Sequence, residues 1–138
     1  MATLTLGRYH IEFDRDATVH AHAAMKLGGA EKCDCEACQN FARQKPVAYP
    51  QEFVELLSVL GIDRNREIEV YELGPPTDHA LDYAGWFYFY GSAEGDGQIE
   101  IGPFAYFLMN GPAYAVEEFS GSPICRVEFL HLWLPKRP

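Results

Sequence analysis

The chain has 138 residues, 48% of them apolar and 14% aromatic, and a formal net charge of −9. That length fits one domain with a proper hydrophobic core. The acidic balance argues against nucleic acid and against anionic membrane surfaces as partners, because both repel such a protein at long range.

No basic stripe interrupts that picture; the positive runs are Arg64/Arg66 and Lys136-Arg137. The opening Met1-Ala2-Thr3-Leu4-Thr5 lacks the basic-then-apolar pattern of a signal peptide, and no apolar segment reaches bilayer length. The expectation is a cytoplasmic address without membrane contact, and with it reduced thiols.

Leu4, Leu6 and then Tyr9, Ile11, Phe13 alternate with polar residues, but the parity changes between Leu6 and Tyr9. A bulge at Gly7-Arg8 would restore one buried face. Asp14-Arg15-Asp16 reads as a turn. Thr18 to Ala24 reads as a second strand, with Val19 and Ala21 facing one way and His20 and His22 the other. Gly28-Gly29 breaks it.

Asp34 is placed to cap a helix from Cys35 to about Arg43. Pro46 and Pro50 prevent one continuous helix, and a second helix starts at Pro50. Phe53, Val54, Leu56, Leu57 and Leu60 give that helix an apolar face, and Gly61 ends it.

From Glu67 the pattern turns to β. Ile68-Glu69-Val70-Tyr71 alternates, Pro75-Pro76 interrupts, and five consecutive aromatics run from Trp86 to Tyr90. Gly95-Asp96-Gly97 reads as a hairpin turn leading to Ile99 and Ile101. Phe104 to Met109 is a further strand, Tyr114 to Phe119 a weaker one, and Ile124 to Leu134 closes the chain before Pro135. The expected fold is α+β and mainly β, one domain over residues 1–138. Strands over 3–24 and 67–134 form an antiparallel sandwich or open barrel, with a two-helix insertion over 34–61.

Three of the four cysteines fall in Cys33-Asp34-Cys35-Glu36-Ala37-Cys38. Thiols this dense in a small chain read first as metal ligands or a redox pair. Cys35 and Cys38, three apart at a helix start, place their sulfurs on one face, and the free amides of the first turn favour thiolates. Zinc is the expected ion. A structural zinc takes four protein ligands, so one must come from elsewhere. His20 and His22 are the nearest candidates, an i, i+2 pair projecting from one strand face and spaced to grip one metal, with two exposed polar residues on the solvent side as the plainer reading. Cys125, His10, His79 and His131 are the others. A structural zinc would tie the helices to the sheet or dock a partner protein, whereas a catalytic zinc would leave the fourth position to water.

Two alternatives stand beside the metal. Cys35-Glu36-Ala37-Cys38 is a CxxC at a helix N-terminus, the arrangement of a thiol redox pair. No βαβ pattern precedes it as a thioredoxin-like fold requires. The cysteines are otherwise simply small buried hydrophobes. Cys125 shares parity with Val127 and Phe129 and reads as core.

The aromatic strand offers a different function. With Phe87 and Phe89 inward, Trp86, Tyr88 and Tyr90 line the other face, where they would stack on a sugar ring or another apolar ligand. The plainer reading covers both faces, one of them by helices or a second subunit. His79 reads as a surface histidine and His131 as an interior or edge one. The acidic pairs Glu117-Glu118 and Glu94/Asp96 fit no calcium loop, and no GxSxG, Walker A, GxGxxG or HExxH occurs.

The string Cys33-Asp34-Cys35-Glu36-Ala37-Cys38-Gln39-Asn40-Phe41, the stretch Pro50 to Asp63, Glu69 to Gly74, Tyr83 to Phe89 and the closing Val127 to Pro135 together resemble a family of small bacterial proteins without an assigned activity. The resemblance covers most of the chain, and CDCxxCxNF is its distinctive part. It implies no reaction. It does imply a last strand that usually lacks a cysteine, which weakens Cys125 as a fourth ligand.

Overall fold

A computed structural model describes residues 1–137. The chain order is β1 (Ala2–Leu6), β2 (Tyr9–Phe13), α1 (Arg15–Ala24), a 3-10 turn (Gly29–Lys32), α2 (Glu36–Ala48), α3 (Gln51–Leu60), β3 (Glu69–Glu72), β4 (Ala80–Glu94), β5 (Ile99–Ile101), β6 (Phe104–Asn110) and β7 (Ile124–Pro135). The fold is α+β and mainly antiparallel, and the seven strands make one open sheet in the order β1-β2-β4-β7-β6-β5, with β3 also on β4. The layers expected from a second sheet are supplied by helices.

β4 is the hub. Its first half pairs with β3 (Glu72↔Tyr83 to Glu69↔Trp86), its end pairs with β2 (Phe13↔Gly91 to His10↔Glu94), and its other edge pairs with β7. The β4–β7 register shifts between Tyr83 and Gly85. There His131 takes a left-handed φ of 60°, and its Nδ1 lies 2.8 Å from Asp82 Oδ2.

One face of β4 carries Leu81, Tyr83, Phe87 and Phe89 into the main core, beneath α2 and α3. Phe41, Tyr49, Phe53, Phe87 and Phe129 pack there with ring centroids 5.3–6.4 Å apart. Such edge and offset contacts add to the burial of large apolar surface. α3 joins this core because Phe53, Leu56, Leu57 and Leu60 recur at helical spacing and are all buried. Gly61 stops it at φ 86°, a conformation that glycine accepts without strain.

The other face of β4 carries Trp86, Tyr88 and Tyr90. It is covered by α1 and by the irregular segment 111–123, chiefly through Ala21, Met25 and Phe119. Tyr88 is fully buried, and its hydroxyl donates to Tyr114 O (2.7 Å) and accepts from Ala113 N. The row Trp86/Tyr88/Tyr90 is therefore part of a second small core and not an open stacking surface.

Five local expectations are corrected. The parity change after Leu6 is the two-residue turn of the β1–β2 hairpin, with Gly7 at φ 57° and Leu6 opposite Tyr9, not a bulge. Thr18–Ala24 is helix, not strand. Asp14 caps it by accepting from Ala17 N (3.0 Å), and Thr18, Ala21, His22 and Met25 are buried at the i, i+3, i+4, i+7 spacing of a helix. α2 passes through Pro46, which sits in the last turn, where losing one hydrogen bond is tolerable. Tyr114–Phe119 forms no strand, and Gly95-Asp96-Gly97 joins β4 to β5 on the far edge of the sheet rather than turning a hairpin.

Candidate metal centre

The run Cys33 to Cys38 spans the junction between the 3-10 turn and α2. Cys35, not Asp34, is the N-cap of α2, and its sulfur accepts from Cys38 N at 3.4 Å. This local bond holds the Cys35 sulfur over the first turn of α2. Cys33 follows the 3-10 turn, its N–H bonded to Ala30 O (3.2 Å), and its Sγ lies 3.2 Å from that of Cys35. All three Sγ atoms lie within 4.8 Å of one another. Zinc–sulfur bonds of about 2.3 Å in a tetrahedral array set sulfurs about 3.8 Å apart, so small side-chain rotations would seat an ion on the triad.

Cys33 and Cys35 are exposed and Cys38 is half-buried against the main core. The thiols differ in acidity. The Cys38 amide at the helix start, then the Cys33 and Cys38 side chains, lower the Cys35 thiol below its ordinary value. Burial and the neighbouring sulfurs push Cys38 up. Of Cys35 and Cys38, Cys35 is thus the one that ionises first, and a cation placed on the triad would favour the thiolate forms.

Contacts that do not involve the sulfurs tie together the segments that carry the triad. Lys45, from α2, is 3% exposed, and its Nζ contacts Glu31 (2.7 Å), Asn65 O (2.9 Å) and Glu67 (3.1 Å). Glu67 is wholly buried and accepts from Ala30 N at 2.8 Å. Burial raises the Glu67 carboxyl, and Ala30 N–H and Lys45 partly oppose that shift. Gly28 passes directly over this ion pair, where a Cβ would lie 2.6 Å from Glu67 Oε1 and Lys45 Nζ. The 3-10 turn that delivers Cys33 is therefore anchored to α2 from below.

Asn40 fixes the other flank. It is 4% exposed and binds Pro135 O (3.1 Å) through Nδ2, while its Oδ1 accepts from Arg137 N (2.7 Å). Phe41, next to it, is fully buried in the aromatic core. The Asn-Phe pair that follows the cysteines thus clamps the end of β7 and docks α2, and the sulfurs project from a helix whose position is already set. A groove of about 440 Å³ runs beside this clamp, lined by Glu36, Asn40, Arg43, Leu81 and Arg137 among others.

The histidines do not join the triad. His20 and His22 lie on α1, where an i, i+2 pair points to different sides, so the expected pincer does not exist. His20 is exposed. His22 is buried, donates from Nε2 to Tyr88 O (2.9 Å) and accepts from Asp63 N at Nδ1 (3.4 Å). Both its nitrogens are spent on holding the neutral ring. Cys125 is fully buried in the main core, as its strand parity implied, with its thiol raised to about 12 by burial. His10 faces Thr5, and His131 is paired with Asp82. Among the described residues, the group of mutually close ligand atoms consists of Cys33, Cys35 and Cys38.

The Lys45–Glu67 pair was not foreseen. Lys45 stands beside a proline and Glu67 beside Arg66, and nothing in their spacing marks them as partners. Comparison of the chain with family models, with curated proteins and with solved structures found no match. Among the described residues, no helix is long and apolar enough to cross a membrane.

Proposed function

We propose that this is a small zinc-binding protein whose ion sits on Cys33, Cys35 and Cys38 at the start of α2 and serves docking of a partner molecule. One observation carries the reading: three sulfur ligand atoms lie within 4.8 Å of one another on an exposed helix start. Three thiolates select a soft or borderline ion, and zinc accepts such a set without a redox step. The buried ion pair and the Asn40 clamp already hold the local fold, which favours docking over a purely structural role. A reducing, cytoplasmic setting keeps the three thiols available.

The test is a zinc titration of the reduced chain against a chromophoric chelator. The reading expects one zinc per chain, with affinity falling by about 10-fold to 100-fold or more in Cys35→Ala. Equal affinity in both proteins would refute it.

A second reading, a thiol redox pair at Cys35 and Cys38, is favoured by a more acidic Cys35 thiol lying within reach of a less acidic Cys38 thiol. It requires a reversible Cys35–Cys38 disulfide, formed with loss of two electrons to a disulfide oxidant. A redox titration followed by mass spectrometry of the alkylated chain tests it, and absence of that disulfide at oxidising poise would dismiss it.

A further inference from the structure

The sulfur triad leaves zinc one donor short of the four it takes in a closed site. Among the described residues, no carboxylate or imidazole stands with the three sulfurs. Resting on the zinc reading above, we infer that the fourth ligand is a neutral imidazole supplied by a second molecule, completing a shared Cys3His site at the start of α2.

Three features of the structure support this. The first is that the segments carrying the sulfurs are anchored by contacts that do not use them. Cys35 and Cys38 ride on a helix fixed by Phe41 in the core and by Asn40 on the end of β7. Cys33 follows a turn fixed by the bond from Ala30 N to Glu67 and by Lys45 on Glu31. A donor from inside the chain would need one of these anchored segments to move. The second is access: Cys33 and Cys35 are exposed, so a side chain from outside can reach an ion seated on them.

The third is charge, and it selects the donor. Three thiolates on Zn2+ leave a net charge of −1. Asp34 and Glu36 are interleaved with the cysteines, on a chain of formal net charge −9. The N-terminus of α2 offsets only about half a unit. A fourth thiolate or a carboxylate would bring the centre to −2 beside those carboxylates. A neutral imidazole adds nothing, and Cys3His is an ordinary zinc donor set. Binding is a ligand exchange: water leaves the fourth position, imidazole nitrogen takes it, and no electron or proton is transferred.

The experiment loads the full reduced chain with Co2+, whose visible bands report the donor set. Imidazole, 2-mercaptoethanol and acetate are titrated in separately at neutral pH, and sedimentation gives the oligomeric state in parallel. The inference expects a monomer whose bands shift saturably with imidazole, about 10-fold or more tightly than with the thiol or acetate. A metal-dependent dimer with a three-sulfur, one-nitrogen spectrum supports it equally and identifies a second copy of this chain as the source. A monomer with a closed four-donor spectrum that no added ligand changes would overturn this inference alone, as would thiol binding as tight as imidazole. A chain that takes up no Co2+ would overturn the metal site itself.

Discussion

Replacing Lys45 with methionine keeps the aliphatic stem and removes the charge that Glu67 faces. At 3.1 Å and an effective dielectric of about 20, the Lys45–Glu67 attraction is about 5 kcal/mol. Glu67 is wholly buried, so without the ammonium its carboxylate keeps only the Ala30 N–H as a direct side-chain partner. Removing one member of a buried pair typically costs about 3–5 kcal/mol, and that is the loss expected for Lys45→Met in urea denaturation at pH 7. Burial already raises the Glu67 carboxyl, and loss of Lys45 raises it further. A carboxyl raised in the folded state favours the protonated form, so stability falls as pH rises from the unfolded pKa through the folded one. The deficit of Lys45→Met is therefore smaller at pH 5 than at pH 7. Lys45→Met combined with Glu67→Gln, which keeps an acceptor for Ala30 N–H without the charge, should recover more than half the loss. A single-variant loss under about 1 kcal/mol, or a double variant no better than the single, would refute the reasoning.

Other outcomes follow from the same structure. Burial lowers His22 below its ordinary 6.5, with Tyr88 O and Asp63 opposing that shift and Arg66 reinforcing it. The unfolded chain then binds the extra proton first on acidification, so stability is lost as pH falls below about 6.5, and His22→Gln should flatten that part of the pH–stability curve. Asn40→Ala removes two hydrogen bonds to the chain end and should cost about 1–3 kcal/mol, with faster hydrogen exchange at Arg137 N as the local readout. Chelator treatment should leave the far-ultraviolet circular dichroism spectrum unchanged, because the Lys45–Glu67 pair and the Asn40 clamp that anchor α2 use no sulfur from the triad; unfolding on metal removal would contradict this. Gly28→Ala should destabilise the chain, since its Cβ would strike the Lys45–Glu67 pair, and unchanged thermal stability would count against that packing.

Much of the architecture was legible where one periodicity was long enough to decide. Phe53 to Leu60 with Gly61, the aromatic run of β4 and the alternation of Val127 and Phe129 each signal one element type, and the structure has those elements. Thr18–Ala24 was misread because seven residues with alternating histidines mimic a strand; the decisive signal was Asp14 as a cap before an alanine-rich stretch, with Thr18, Ala21, His22 and Met25 on one side. Asn40 and Phe41 stood out beside the cysteines, but their tasks depend on Pro135 and Tyr83, which only the fold brings near. The Lys45–Glu67 contact was beyond reading for the same reason. The triad itself was visible, since its geometry is set by residues within six positions of one another.

The central claim, that Cys33, Cys35 and Cys38 hold a cation together, is tested most directly by elemental analysis of the chain purified without chelators, beside Cys35→Ala. The account predicts about one zinc per chain in the first and a large loss in the second, with both proteins folded. Zinc absent from the native chain, or retained in full by Cys35→Ala, would contradict it.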